Sequence, residues 1–133
     1  MLDASVTMAW AIPDERSEYA ERVLRFLGTS AAAVPQVWRF EVANTLLVSE
    51  RRARMTEDDT ADFLEGLRLL PISIETMESA LERLVVLGRA HRTSGYDAAY
   101  LDLAFRRELP LATTDELMRN AAEHMGIGFF DPS

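Results

Sequence analysis

Short apolar runs alternate with longer stretches of helical pattern along the whole chain, and no other feature limits its possible folds as strongly. The runs with strand character are Met1–Ala4, Ala32–Val34, Ile72–Ile74, Leu111–Thr113 and Ile127–Phe130. The helical stretches are Ser17–Leu27, Gln36–Arg52, Glu57–Leu70, Met77–His91, Gly95–Glu108 and Glu116–Met125. Strands separated by helices predict βαβ units. We therefore expect an α/β fold with a mostly parallel central sheet of about five short strands flanked by helices.

Residues at the helix ends support this assignment. Thr56 and Ser94 each precede an aspartate by three residues, which is a spacing typical of a capping box. Gly28 and Gly126 stand where helices are expected to stop. The chain contains no internal repeat, low-complexity tract or linker, so residues 1–133 are predicted to form a single domain.

The chain lacks residue types that many catalytic sites need. It has no cysteine, which excludes disulfide frameworks, iron–sulfur clusters and thiolate zinc sites. All 14 basic residues are arginine, and without lysine the chain cannot be a P-loop enzyme, a Schiff-base enzyme or a kinase. His91 and His124 are too few imidazole ligands for most zinc or copper sites.

The charge balance of the chain is acidic, with 22 acidic residues and a formal net charge of −8. This balance argues against a protein that binds nucleic acid by charge alone, but not against an enzyme whose acids hold cations. No signal-peptide pattern follows Met1, and no apolar run is long enough to cross a membrane. We therefore expect a cytoplasmic protein that does not contact membranes.

Two acids follow predicted strands. Asp3 lies at the carboxyl end of the first strand, and Asp115 lies just past the end of the fourth. Ligands of parallel α/β sheets bind outside the carboxyl ends of the strands, so both acids fall on the expected ligand edge. Each has a structural alternative, because Asp3 could cap the turn into the next helix and Asp115 could be an ordinary helix N-cap.

Glu41 lies on a predicted helix that is apolar in nearly every direction, which predicts that the helix is buried. Burying a carboxylate alone is strongly unfavourable or forces its protonation. The polar neighbours Asn44 and Thr45 carry no compensating charge. The partner of Glu41 is then either an arginine from elsewhere in the chain or a bound cation, and the cation is the simpler solution.

Two aspartates of one predicted helix are expected on opposite sides. On a helical wheel, Asp97 shares its side with Tyr100 and Leu101. Asp102 faces the other side, where it can form a surface pair with Arg106. The structural alternative for Asp97 is a capping role at the start of the helix.

Four acids can converge only around positive charge. At about 4 Å and an effective dielectric constant of about 20, each contact between like charges costs roughly 4 kcal/mol. Mg²⁺ or Mn²⁺ suits an all-oxygen cluster and keeps some of its waters. Such ions can activate water for attack on a phosphate, so the residues indicate a metal-dependent phosphodiesterase.

Four short motifs, taken in this order and spacing, resemble the PIN domain family. They are Leu2-Asp3-Ala4-Ser5, Glu41-Val42-Ala43-Asn44, Tyr96-Asp97-Ala98-Ala99-Tyr100 and Thr113-Thr114-Asp115. Together they are similar, over essentially the whole chain, to the VapC-type toxins of toxin–antitoxin pairs. The resemblance implies a PIN-like three-layer fold and a Mg²⁺- or Mn²⁺-dependent endoribonuclease. It places Asp3, Glu41, Asp97 and Asp115 around the metal as the catalytic acids.

The resemblance also implies supporting residues. Ser5 and Thr113 fit hydroxyl positions that support the metal-binding acids by hydrogen bonds, and Asn44 is assigned with them. Arg89 and Arg92 precede Asp97 and are candidates for contact with RNA phosphates at the rim of the site.

The resemblance further implies partners. These are an RNA substrate, a cognate antitoxin that covers the site, and a second copy of the chain in a homodimer. Two alternatives remain open: a catalytically inactive acidic protein-binding module of the same fold, and a PIN nuclease that acts in RNA processing or on DNA.

Overall fold

The structure is a computed structural model that describes all residues 1–133, and its elements follow the predicted order except for an additional helix near the N-terminus. Its helices are α1 (Ala4–Ala11), α2 (Glu18–Phe26), α3 (Val37–Arg51), α4 (Glu57–Arg68), α5 (Leu81–His91), α6 (Gly95–Arg106) and α7 (Glu116–His124). Its regular strands are β1 (Ala32–Pro35) and β2 (Ile72–Glu75), and a 3₁₀ turn (Pro13–Glu15) joins α1 to α2. None of the helices combines the length and the apolar character needed to cross a bilayer.

Five short segments are hydrogen-bonded side by side, although only β1 and β2 are regular strands. These two pair in parallel. The N-terminal segment joins β1 through a bond from Leu2 N to Ala33 O (3.0 Å). Single parallel bridges then connect Leu2 with Ala112 and Leu111 with Phe129. The predicted α/β class is therefore confirmed, with three of the five expected strands reduced to single bridges.

Helix α1 is the main difference from the sequence-based assignment. The expected strand Met1–Ala4 ends at Asp3, whose backbone is still extended (φ −76°, ψ 146°), and α1 begins at the next residue. The segment has little polar character, and five of its residues are buried. It therefore lacks the apolar and polar faces that reveal a surface helix in a sequence.

Helix α3 is buried along one stripe rather than on all sides, so the expectation for the helix that carries Glu41 was wrong. The buried side chains are Trp38, Val42, Leu46 and Ser49. Other apolar side chains of the helix face outward, with Phe40 67% exposed and Leu47 49% exposed. The helical wheel assigned these residues to the core because it gives the direction of each side chain but not whether another element packs against it. Glu41 lies half-buried beside the buried stripe.

Asp102 is buried between α5 and α6, not on the surface as expected. Its side chain is 3% exposed; Oδ1 accepts from Arg83 Nε (3.2 Å) and Oδ2 from Arg106 Nε (3.0 Å). The expected pairing with Arg106 is therefore present, but α5 packs over this side of α6. Burial opposes ionisation, yet hydrogen bonds from Ser79, Arg83 and Arg106 hold the pKa of Asp102 below its ordinary value.

Candidate active site

Asp3 stands at the junction of the sheet and α1. Its backbone N–H donates to Ala112 O (2.9 Å), which fixes the residue at the end of the N-terminal segment. Although Asp3 is the N-cap residue of α1, its side chain makes no capping hydrogen bond. The capping alternative is thus excluded for Asp3, and its buried carboxylate is free for another role.

Two hydroxyl groups orient the Asp3 carboxylate. Ser5 Oγ donates to Asp3 Oδ2 (2.6 Å), and Thr113 Oγ1 donates to the same oxygen (2.7 Å). The hydroxyls are themselves fixed by backbone donors, since Ser5 Oγ accepts from Thr114 N (3.1 Å) and Thr113 Oγ1 accepts from Asp115 N (3.0 Å). No such donor bonds the other oxygen of Asp3, so one carboxylate oxygen is held while the other stays available.

Asp115 caps α7. Its Oδ1 accepts from Met118 N (3.2 Å), as the structural alternative anticipated. The same carboxylate is close enough to Asp3 and Asp97 to raise the pKa of each. Asp115 is exposed, so it borders the site from the solvent side. Capping and a place beside the other acids are compatible here.

Asp97 occupies the first turn of α6 and is half-buried. Its backbone N–H donates to Ser94 Oγ (3.0 Å), which is the capping bond expected from the spacing. Burial raises the pKa of the Asp97 carboxyl, hydrogen bonds with Ser94 lower it, and the charge of Asp115 raises it again. Like Asp115, Asp97 therefore combines a capping hydrogen bond with a charge interaction with a neighbouring acid.

Glu41 approaches the site from α3 and meets Tyr100 of α6. Glu41 Oε1 and the Tyr100 hydroxyl are both buried, and neither has a hydrogen-bond partner. Burial raises the pKa of Glu41, the nearby Tyr100 hydroxyl lowers it, and the charges of Asp3 and Asp97 raise it. Burial likewise raises the pKa of Tyr100, and Glu41 and Asp3 raise it further. Buried polar atoms without partners are rare in folded proteins, so these two neighbouring groups are candidates to bind a ligand.

Besides burial, charges of neighbouring acids contribute to the raised pKa values of Asp3, Glu41 and Asp97, so the four acids lie near one another. Burial raises the pKa of Asp3, the hydroxyls of Ser5 and Thr113 oppose the shift, and the charges of Asp97 and Asp115 add to it. None of the salt bridges in the structure includes Asp3, Glu41, Asp97 or Asp115. An arginine partner for Glu41, one of the two possibilities left open above, is thus absent.

The donor chemistry of this region fits a hard divalent cation. All four side chains offer carboxylate oxygens, the ligands preferred by Mg²⁺ and Mn²⁺, and Glu41 Oε1 is left without any partner. No group of three or more His, Asp or Glu side chains is arranged so that it could hold a metal ion in the structure as it stands. The acids are thus neighbours, but their side chains are not arranged as a coordination shell.

Three other expected residues lie apart from the acids. Asn44 is on the exposed side of α3 and makes no hydrogen bond to any of them, so the structure does not place it as a support. Arg89 and Arg92 are exposed at the end of α5, and neither lines the open cleft that borders Asp115.

Sequence reasoning did not assign Tyr100 to the site. A signal was available, because Tyr100 follows Asp97 by three residues and was placed on the same side of the helix. Aromatic residues on such a side normally belong to the core, and Tyr100 is indeed fully buried. Only the structure shows that its hydroxyl end lies beside Glu41 without a hydrogen-bond partner.

Comparison with known proteins adds independent findings. The sequence matches the PIN domain family over residues 1–124. It is 33% identical over 120 residues to Ribonuclease VapC3 of Pyrobaculum aerophilum, an alignment that covers 86% of this chain and 88% of that protein. The fold is similar to the crystal structure of PAE2754 from the same organism, with a TM-score of 0.69 at 18% identity. That match covers 90% of this chain and 83% of the other.

Proposed function

Because the chain belongs to the PIN domain family and to its VapC type, we propose that it is a divalent-metal-dependent endoribonuclease that hydrolyses RNA phosphodiester bonds. The observation that carries the proposal is the group of coupled acids without a counter-charge, Asp3, Glu41, Asp97 and Asp115. The relative called a ribonuclease supports the choice of RNA as the substrate.

We assign the four acids to hold Mg²⁺ or Mn²⁺. Asp3 has one oxygen fixed by Ser5 and Thr113, which leaves the other oxygen available to bind an ion. Glu41 brings a buried oxygen that lacks a partner. A bound ion would supply positive charge to the phosphate and acidity to a nearby water. The four side chains would hold such an ion, and Asp115, at the solvent edge, would accept a proton from water.

In the absence of metal, the carboxylates also disfavour the binding of an anionic substrate. Three of them have pKa values raised by burial, and neighbouring acids add to each shift. Without metal, their negative charge repels an RNA phosphate, and with metal the same region attracts it. The proposed activity therefore depends on loading of the site, not only on folding.

We also propose that the chain acts as the toxin of a toxin–antitoxin pair, with a cognate antitoxin and a homodimer as its assemblies. The VapC-type relative supports the first part. Exposed apolar side chains on α3, Phe40 and Leu47, support a protein contact on that helix.

The test is cleavage of total RNA by the purified protein. We expect cleavage with Mn²⁺, none with EDTA, and none with the Asp97→Asn variant in Mn²⁺. Asp62→Asn is the matched control, because Asp62 is an exposed aspartate of α4 outside the acid group. No cleavage by wild type, or equal cleavage by Asp97→Asn, would contradict the proposal. The inactive binding module would then be the better interpretation.

A further inference from the structure

An open cleft of about 700 Å³ borders the acidic site. Thr113 and Asp115 belong to both the site and the cleft, while Tyr19, Arg119 and Phe129 line the cleft alone. The Tyr19 and Phe129 rings are stacked, with centroids 5.2 Å apart and planes inclined by 21°. The cleft therefore joins the acids to an aromatic surface that none of the sequence motifs includes.

Arg119 is the free cation of this cleft. Its guanidinium carbon lies 3.9 Å from the centre of the Phe129 ring, over the ring face. It takes part in no salt bridge, whereas the other arginine of the cleft, Arg22, is bound by Glu18 and Asp131. A guanidinium over a ring face still has N–H groups that can bind a phosphate, because its donors form a planar fork. Arg119 is exposed, so these donors face solvent.

The position of Arg119 relative to Asp115 is set by α7. Arg119 N donates to Asp115 O (3.0 Å), so the two residues are one helical turn apart. Side chains at this spacing have Cβ atoms about 5–6 Å apart on the same face of a helix. Even so, Arg119 makes no salt bridge with Asp115 and lies on Phe129 instead. An anion held by Arg119 would thus be a close neighbour of one held at the acids.

We propose that this cleft binds the nucleotide next to the cleaved bond, with Arg119 donating hydrogen bonds to its phosphate. This inference rests on the proposed function and adds a positioning residue to it. A single-stranded RNA chain fits because it offers one phosphate to the metal-loaded acids and a second to Arg119. Asp115, Glu116 and Asp131 of the cleft would attract a basic segment of a protein partner and Arg119 would repel it, so the experiment includes such a peptide as a separate arm.

The experiment measures binding of a short single-stranded RNA of mixed sequence, end-labelled with fluorescein, by fluorescence anisotropy in Mn²⁺. The Asp97→Asn background prevents cleavage. Arg119→Met is the test variant, because methionine still covers the Phe129 ring but has no donors. Arg39→Met is the matched control: Arg39 is also an exposed arginine stacked near a phenylalanine, with its guanidinium carbon 5.8 Å from the Phe40 ring centre, but it is outside the cleft.

We expect Arg119→Met to raise the Kd of this RNA roughly tenfold and to reduce the slope of log K against log salt by about 0.7. Arg39→Met should leave both within twofold of the parent. In the active protein, Arg119→Met should raise KM with little change in kcat. Equal RNA binding by the two methionine variants would overturn the assignment. So would tighter binding of an arginine-rich peptide by Arg119→Met alone while RNA binding is unchanged, because the cleft would then serve a basic protein partner.

The two proposals fail in different ways. RNA binding that depends on Arg119, together with no cleavage by wild type in Mn²⁺, would contradict the proposed nuclease activity and support the proposed RNA-binding cleft. Cleavage by wild type with a KM that does not change in Arg119→Met would support the proposed nuclease activity and contradict the proposed role of the cleft. Thermal melts of both methionine variants show whether a loss of binding reflects a loss of folded protein.

Discussion

At the scale of single residues, two kinds of carboxylate stand out, those buried against arginine and those that have other acids as their neighbours. Asp102 lies between Arg83 and Arg106, and hydrogen bonds hold its pKa low. Burial raises the pKa of Asp3 and of Asp97, and neighbouring acids raise each further. Perturbed carboxyls that share a region without a counter-charge are typical of functional sites. The distinction gives opposite expectations for two aspartates of the same helix.

We expect Asp97→Asn to abolish cleavage and Asp102→Asn to keep it within a few-fold of wild type per folded molecule. Asp102→Asn should instead lower the free energy of unfolding by about 1–3 kcal/mol, because it weakens a buried ion pair whose two arginines are partly solvated. Urea unfolding and RNA cleavage, measured on the same preparations, check both statements. A stable but inactive Asp102→Asn protein would show that α6 presents its other side to the substrate.

We expect Ser5→Ala to reduce cleavage and the apparent affinity for Mn²⁺ by roughly 10- to 100-fold, because Asp3 loses one of the two hydroxyls that orient it. Thr113→Val removes the second donor and should have an effect of similar size. Titration of activity with Mn²⁺ measures the affinity. Ser73→Ala is the control, since Ser73 is an exposed hydroxyl of β2. Wild-type affinity in both site variants would mean that the orientation of Asp3 does not depend on these bonds.

The sequence predicted the four acids because a charged residue in an apolar pattern, or at a strand end, is visible without a structure. It did not predict Tyr100, because a lack of hydrogen-bond partners is a property of packing. The helical wheel correctly separated Asp97 from Asp102. It could not show that α5 covers Asp102, since a wheel describes one helix at a time.

At the scale of elements, α7 carries residues that contribute both to stability and to the candidate site. Its N-cap, Asp115, bonds Met118 N and also borders the other acids. Its fourth residue, Arg119, extends the site into the cleft. One short helix therefore carries a proposed metal-binding acid at its start and the proposed phosphate donor one turn later.

We expect Asp115→Ala to unfold more easily than Asp115→Asn by about 1 kcal/mol in EDTA, because both variants lose the charge but only asparagine keeps a good capping group. Mn²⁺ should raise the melting temperature of wild type more than that of either variant. Thermal melts of the three proteins, with and without Mn²⁺, test this pair of statements. Equal stability of the two variants would show that the cap contributes nothing.

Element prediction succeeded where periodicity was present and failed where it was not. The amphipathic helices were found, with α5 starting at Leu81 rather than Met77. Helix α1 was missed because nearly all of its surface is apolar and buried. Three expected strands became single bridges because their pairing is limited to one or two residues, which a run of apolar letters cannot reveal.

At the scale of the whole molecule, the raised carboxyl pKa values predict how stability depends on pH. The folded, metal-free protein binds protons at Asp3, Glu41 and Asp97 more tightly than the unfolded chain does. Its stability contribution from these groups should therefore rise as the pH falls from neutral toward about 4, the region of the unfolded-state pKa values. Below that range, protonation of Asp102 removes stability, because its pKa is lowered by folding.

The measurement is the melting temperature in EDTA across this pH range, for wild type and for Asp97→Asn. The rise on acidification should be smaller in the variant, which has one carboxylate fewer to protonate. Mn²⁺ should stabilise wild type at neutral pH, and less so as the pH falls. A melting temperature that drops steadily from pH 6 downward in both proteins would contradict the coupling.

The hydrogen bond from Thr113 to Asp3 joins residues 110 positions apart. A ribosome makes a protein from its N-terminus, so a nascent chain contains Asp3 and Glu41 long before Thr113 and Asp115 exist. Until translation has passed residue 115, Thr113 cannot help Ser5 to orient Asp3 and the group of acids is incomplete, and the large loop between these residues remains to be closed. Prematurely terminated products should therefore be harmless to cellular RNA, and nuclease activity should begin only after nearly all of these residues have been synthesised.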